Sequence, residues 1–270
     1  MISVGGIKVN RQMFPDHSLL VKFDPYMDDF QYDRGAIVIE WLYEGDDELF
    51  TLICLKRHLD THFSNPEIVL DMPYIPHARQ DRIKREDDVF TLKYFCEVIN
   101  SLNFKLIHVR DAHSNVSLAL LNNVFETPIQ YPIKRAIDFS EAEILFFPDE
   151  GAMKRYSEKA NLPYAFGMKK RDWTTGKILG LDIINAEIVK DKKVLIVDDI
   201  CSRGGTFYHS AKALKEAGAS NVSLYVSHLE ETVLLGDLPN SGLIDHIYTT
   251  KSIFPEKEAK NWEEWITVIE

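Results

Sequence analysis

The run Lys193-Val194-Leu195-Ile196-Val197-Asp198-Asp199-Ile200-Cys201-Ser202-Arg203-Gly204-Gly205-Thr206 combines three features that belong together chemically. An apolar stretch ends in two adjacent carboxylates, a glycine pair follows, and Phe207, Ala211 and Leu214 then recur at the spacing of one helix face, which Gly218 can close. A strand, a glycine turn and a helix bring backbone N–H groups and a positive helix terminus around an anion. Glycine suits the turn because a Cβ would keep the backbone away from the ligand. Carboxylates only accept hydrogen bonds, so the natural partner for Asp198 and Asp199 beside a bound phosphate is a vicinal diol such as that of a ribose. The plainer reading is an ordinary strand-to-helix turn in which Asp198 and Asp199 merely end a strand; the acids together with the glycines favour a ribose-phosphate site.

Four other clusters carry chemistry-bearing side chains. Pro73-Tyr74-Ile75-Pro76-His77-Ala78-Arg79-Gln80-Asp81-Arg82 follows an apolar strand and sets two guanidinium groups at its carboxyl end, where ligands of parallel sheets bind. Arginine forks match polyphosphate oxygens and stack on purine rings; a solvated, ion-paired loop is the plainer reading. Asp111-Ala112-His113 and Phe147-Pro148-Asp149-Glu150-Gly151-Ala152 each follow another apolar strand. By themselves they read as a hydrogen-bonded loop and a helix cap. Lys169-Lys170-Arg171-Asp172 reads as a basic hinge, and three basic residues in a row are more plainly a solvated turn.

The elements that must position these clusters alternate between strand and helix. Short β segments are expected at 7–9, 19–23 and 36–41, then a helix over about 48–63, a strand at 68–70, a helix over about 90–102 and a strand at 106–109. The second half repeats the order: a strand at 144–147, a helix over about 153–160, a strand at 164–168, a stretch from 181 to 189 leading into the opening motif, and strands at 222–226, 244–248 and 262–269. Such alternation implies parallel sheets flanked by helices. The joint between two α/β domains falls near Thr127-Pro128 to Pro132.

The opening run resembles the binding signature of the type I phosphoribosyltransferase superfamily. The Pro73–Arg82 segment is very similar to the nucleotide-binding segment of ribose-phosphate pyrophosphokinases, which ordinary phosphoribosyltransferases lack. The resemblance runs from about Ile68 to Ile253 and implies two phosphoribosyltransferase-like domains. These are residues 1–129 with the ATP loop and 130–253 with the ribose 5-phosphate loop, and a tail, 254–270, is expected to pack on the first. Carried over residue by residue, it implies ATP binding by Arg79, Gln80, Asp81 and His113, and catalysis by Lys169 and Arg171 on a flexible basic loop closing over the triphosphate. It also implies ribose 5-phosphate binding by Asp149, Asp198, Asp199, Ser202, Arg203, Gly204, Gly205 and Thr206, and Mg2+ near His113 and Asp149. Phe14 and Asp16 are the closest match to the family's adenine-contacting stretch, but without its Gly and Glu. Arg203 stands where relatives usually have Thr, and Ser202 where the synthetase branch has an acid. The implied reaction moves the pyrophosphoryl group of ATP to ribose 5-phosphate. A base-specific phosphoribosyltransferase and a non-catalytic regulatory subunit are the alternatives.

Composition bounds the rest. The chain has 270 residues, 45% hydrophobic and 27% charged, an ordinary globular balance that allows one large or two modest domains. A net charge of −11 opposes nucleic-acid binding, which needs a basic surface. No apolar run approaches the ~20 residues of a membrane span, and the N-terminus lacks the regions of a signal peptide. Cys54, Cys96 and Cys201 are odd in number and have no metal spacing, so a cytosolic protein with reduced thiols is expected. A homo-oligomer with shared active sites is what the resemblance implies for assembly.

Overall fold

The computed structural model describes residues 1–26, 35–171 and 178–269, with the backbone alone for 169–171 and 178–180. The chain divides into two compact units, Met1–Thr127 and Pro128–Glu270. In the first, β1 (Ile2–Val4), β2 (Ile7–Lys8), β3 (Asn10–Met13), β4 (Leu19–Lys22) and β5 (Ile37–Trp41) precede α1 (Asp47–His62). There follow β6 (Ile68–Asp71), α2 (Thr91–Ser101), β7 (Leu106–Arg110), α3 (Asn115–Leu120) and β8 (Val124–Thr127). The sheet order is β2-β1-β5-β6-β7-β8, with β3 and β4 forming a separate hairpin. Strands β5 to β8 are parallel, so their carboxyl ends share one edge. β5 alternates buried and half-buried positions, the pattern of a strand with one face pressed into a core.

Helix α1 covers that sheet with Leu52, Leu55 and Leu59, all fully buried. Its apolar stripe is broken by Glu48 and Lys56, which are buried too but ion-paired, Glu48 with the Met1 ammonium at 2.6 Å and Lys56 with Asp60. The Trp41 indole N–H donates to Glu48 at 2.8 Å, and Lys56 reaches Asp60 at 2.7 Å. Buried ions persist only when paired in this way.

The second unit contains α4 (Gln130–Ser140), β9 (Ile144–Phe147), α5 (Glu150–Tyr156), β10 (Tyr164–Arg171), β11 (Ile178–Ile184), β12 (Lys193–Cys201) and α6 (Gly205–Glu216). It continues with β13 (Asn221–Leu229), α7 (Leu238–Ser241), β14 (His246–Thr250), α8 (Glu256–Asn261) and β15 (Ile266–Ile269). The sheet order is β11-β10-β9-β12-β13-β14-β15, parallel except for the antiparallel edge strand β11. Consecutive strand side chains point to opposite faces, and both faces of this sheet are covered. Val194 and Ile196 of β12 enter one apolar core while Leu195 and Val197 enter the other, and Ile144/Phe146 against Leu145/Phe147 of β9 divide likewise. A strand buried on both sides reads as an unbroken apolar run, which is why these two were legible.

In the tail at 254–270, β15 pairs in parallel with β14 and completes the second sheet. Ile266 and Ile269 supply the reason, because they bury themselves in the two cores on opposite faces. The basic run is not a hinge in its backbone. Lys169 pairs with Leu181 and Lys170 with Gly180 in the β10–β11 hairpin, and the register shifts between Lys170 and Arg171.

Candidate active site

In the second unit, β12 runs through both acids and ends at Cys201. Asp199 is buried, with its carboxylate 3.7 Å from the Arg155 guanidinium of α5. Asp198 is half-buried, and its Oδ1 accepts the Asp199 backbone N–H at 2.9 Å. Ser202, Arg203 and Gly204 then turn the chain into α6. Gly204 is the N-cap, at φ 80° and ψ 7°. That left-handed conformation disfavours any residue with a Cβ, and a Cβ there would also run into the Leu238 side chain. Gly204 is buried, whereas Arg203, Gly205 and Thr206 are exposed at the helix start. The open N–H groups of the first turn and the exposed guanidinium form a surface that accepts an anion.

Asp149 caps α5, its carboxylate accepting the Ala152 N–H at 3.1 Å. It also lines a cavity of about 340 Å³ together with Glu150, Phe166, Gly167 and Met168. The structural role read for this loop is therefore filled, and the capping residue also borders the cavity. The side chains of Lys169 and Arg171 lie outside the described residues.

In the first unit, the loops after β6 and β7 meet. Asp81 is the link: it accepts two hydrogen bonds from Arg82, at 2.7 and 3.1 Å, and one from the Ser114 hydroxyl at 2.8 Å. These donors, Arg82 foremost, hold the Asp81 carboxyl down at about 2 against burial, which works the other way. Ser114 also caps α3 by accepting the Val116 N–H, so the strand-end segment that carries exposed His113 is fixed from both sides. Gln80 accepts the Thr91 hydroxyl at the start of α2, and its backbone N–H closes onto the His77 carbonyl at 2.9 Å. His77 itself has a positive φ of 63°. Arg79 points outward as an exposed residue. Asp81 and Gln80 are thus engaged in shaping the loop, and Arg79 and His113 are the side chains it presents.

Phe14 and Asp16 occupy the tip of the β3–β4 hairpin. Asp16 accepts the Ser18 N–H and hydroxyl at 3.0 and 2.7 Å, which pulls its carboxyl below the usual range, and Phe14 is exposed. Their hydrogen bonds close the turn on itself, as with the Phe14 N–H to the Ser18 carbonyl at 2.9 Å. His113 belongs to the first unit and Asp149 to the second. Among the described residues no three His, Cys, Asp or Glu side chains gather as a ready metal cage.

Several residues around these loops escaped sequence reasoning: Thr91, Ser114, Arg155 and Glu230. Only Ser114 left a signal, as a serine two residues before the Val116 it caps. The others act across the fold, as Glu230 does in accepting the Ser202 hydroxyl from 28 residues away.

The phosphoribosyl transferase domain model matches residues 153–267. The ribose-phosphate pyrophosphokinase 2 of Archaeoglobus fulgidus is 30% identical over 258 residues, covering 92% of this chain and 85% of that protein. The ribose-phosphate pyrophosphokinase of Sulfurisphaera tokodaii is 27% identical over 271 residues, covering 96% of this chain and 89% of that one. Among solved structures, the phosphoribosylpyrophosphate synthetase of Mycobacterium smegmatis superposes with a TM-score of 0.70 over 97% of this chain and 85% of its own, at 18% identity.

Proposed function

The chain belongs to the ribose-phosphate pyrophosphokinase family, and on that premise we infer that it transfers the β,γ-pyrophosphoryl group of ATP to the 1-hydroxyl of ribose 5-phosphate. The products are AMP and 5-phosphoribosyl 1-diphosphate. The observation that best supports this reading is that the relationship extends through both units. A base transferase would account for the anion loop after β12 but not for the paired loops after β6 and β7.

The roles of individual residues follow from their placement. Arg203, Thr206 and the backbone N–H groups at the start of α6 hold the 5-phosphate. Gly204 gives the turn its shape, Gly205 lets the anion approach, and Ser202 braces the loop. Asp198 and Asp199 take the ribose hydroxyls, Asp199 through a carboxylate that Arg155 already orients. Arg79 and His113 meet the nucleotide's phosphates, while Asp81 and Gln80 keep their loop in shape. Phe14 and Asp16, on their hairpin tip, are the candidates for the purine. The anomeric oxygen attacks the β-phosphorus in line, and the bond from that phosphorus to the α,β-bridging oxygen breaks. AMP leaves with the electron pair, and the hydroxyl proton is released. Lys169 and Arg171 neutralise the charge that spreads over the phosphoryl oxygens, the main task of a protein in such a transfer.

Mg2+ fits the donor chemistry of these loops. It prefers hard oxygen ligands and is usually held by one or two carboxylates together with substrate phosphates and water. Asp149 offers such an oxygen beside a cavity, whereas the His113 imidazole suits a phosphate better than this metal. When bound, the ion supplies charge neutralisation and orientation of the triphosphate. Family membership and the three free cysteines support a homo-oligomer in the cytosol. Light scattering on the purified protein checks the assembly: a monomer would rule out shared active sites. The reaction is tested by phosphorus NMR of protein, magnesium, ATP and ribose 5-phosphate. AMP appearing with a sugar diphosphate is the expected result. ATP left intact by folded protein would overturn the reading in favour of a regulatory subunit or a base transferase.

A further inference from the structure

We propose that Glu230 is a positioning residue for the sugar-phosphate loop, holding it from behind at Ser202. The proposal rests on the reading of residues 202–206 as the ribose 5-phosphate site.

Glu230 opens the segment that leads from β13 towards α7. It is tied to the end of β12 twice. Its backbone N–H donates to the Cys201 carbonyl at 2.8 Å, and its carboxylate accepts the Ser202 hydroxyl. The same carboxylate oxygen accepts the Thr232 hydroxyl at 3.1 Å, which fixes the glutamate's own orientation. The next two loop residues are met by the same segment. A Cβ on Gly236 would collide with the Arg203 carbonyl, and Leu238, itself buried, lies against Gly204. Three consecutive residues of the loop, 202 to 204, therefore each rest on one residue of 230–238.

This support has a chemical consequence. A hydroxyl has one proton to donate, and a carboxylate can only accept. Ser202 therefore commits its proton to Glu230 and has none for a phosphate. Affinity for the anion then falls to groups on the open side: the N–H groups of the first turn of α6, Thr206 and Arg203. Glu230 sets those donors in place, although its negative charge alone would weaken an anion's binding. Positioning and charge thus pull in opposite directions, and substitution separates them.

The test is calorimetric titration of ribose 5-phosphate into the full chain, alongside ATP titration and thermal unfolding. Glu230→Ala is expected to weaken ribose 5-phosphate binding about tenfold and leave ATP affinity unchanged. That is the loss of roughly one charge-assisted hydrogen bond. Glu230→Gln, whose amide oxygen can still accept from Ser202, should restore most of the affinity. Ser202→Ala should show a similar loss, and the double variant should lose little more than either single one, as coupled partners do. Should Glu230→Ala not fold, Ser202→Ala against Glu230→Gln carries the same comparison. Unchanged or tighter binding in Glu230→Ala or Ser202→Ala, at a temperature where the protein is folded, overturns the positioning role. No binding by the unmodified chain would overturn the assignment of the loop itself, and this proposal with it.

Discussion

The two loop systems are built by opposite means. The loop after β12 offers mainly backbone: a left-handed glycine and the open N–H groups of α6, held from behind by Gly236 and by the side chains of Glu230 and Leu238. The pair of loops after β6 and β7 is made of side chains, with Asp81 gripping Arg82 and Ser114, and Gln80 gripped by Thr91. Backbone donors cannot be exchanged and tolerate almost no added atom, so such a site fails abruptly. A side-chain network loses one bond at a time and should fail by degrees.

The basic strand end lies outside both systems and bounds the largest effect. Lys169→Ala or Arg171→Ala is expected to lower kcat by about 10²–10³-fold, the size seen when one transition-state donor is removed. Steady-state rates should fall with only a modest change in ribose 5-phosphate affinity; unchanged turnover in both would take the basic run out of the mechanism. In the backbone-built loop, Gly204→Val should reduce kcat/KM for ribose 5-phosphate by about 10²-fold. Strain of this kind costs about 1–3 kcal/mol, and the new side chain meets Leu238 as well. A loss below about threefold would break the contrast.

In the side-chain-built system, Asp81→Asn should raise the KM for ATP about tenfold, the scale of one charge-assisted bond. The KM for ribose 5-phosphate should not move. Equal shifts in both would show that Asp81 supports the whole fold instead of its own loop. The smallest effect is on acid stability. The Asp81 carboxyl is lowered from 3.8 to about 2, so its stabilising contribution is complete above the ordinary value and lost as pH falls through the folded one. Acid unfolding of the parent and of Asp81→Asn should therefore differ most above about pH 4 and converge near pH 2. Curves that stay equally separated down to that point would contradict the bonding seen at Asp81.

The same contrast explains what could be read from sequence. Val194–Val197 and Ile144–Phe147 are apolar without interruption because both faces are buried, and the glycines of residues 204–205 mark a turn by their type. β1, only three residues long, gave too short a pattern. α4 was hidden by Pro132, which reads as a linker signal but sits in the first turn, where its missing N–H has no helical partner to lose. The roles proposed for Arg79 and His113 come from the resemblance, since exposed polar residues look alike in sequence. Thr91 and Glu230 became visible only with the fold, because a strand-end loop meets residues from neighbouring strands and helices whose numbers bear no fixed relation to its own.

The most direct test of the central claim follows the β-phosphorus of ATP. ATP labelled at that atom is incubated with the full chain, magnesium and ribose 5-phosphate, and the products are separated. The account requires the label in 5-phosphoribosyl 1-diphosphate, with unlabelled AMP in equal amount. Label recovered in ADP, with phosphate on the sugar or in solution, would show transfer of the γ-phosphoryl group alone and contradict it.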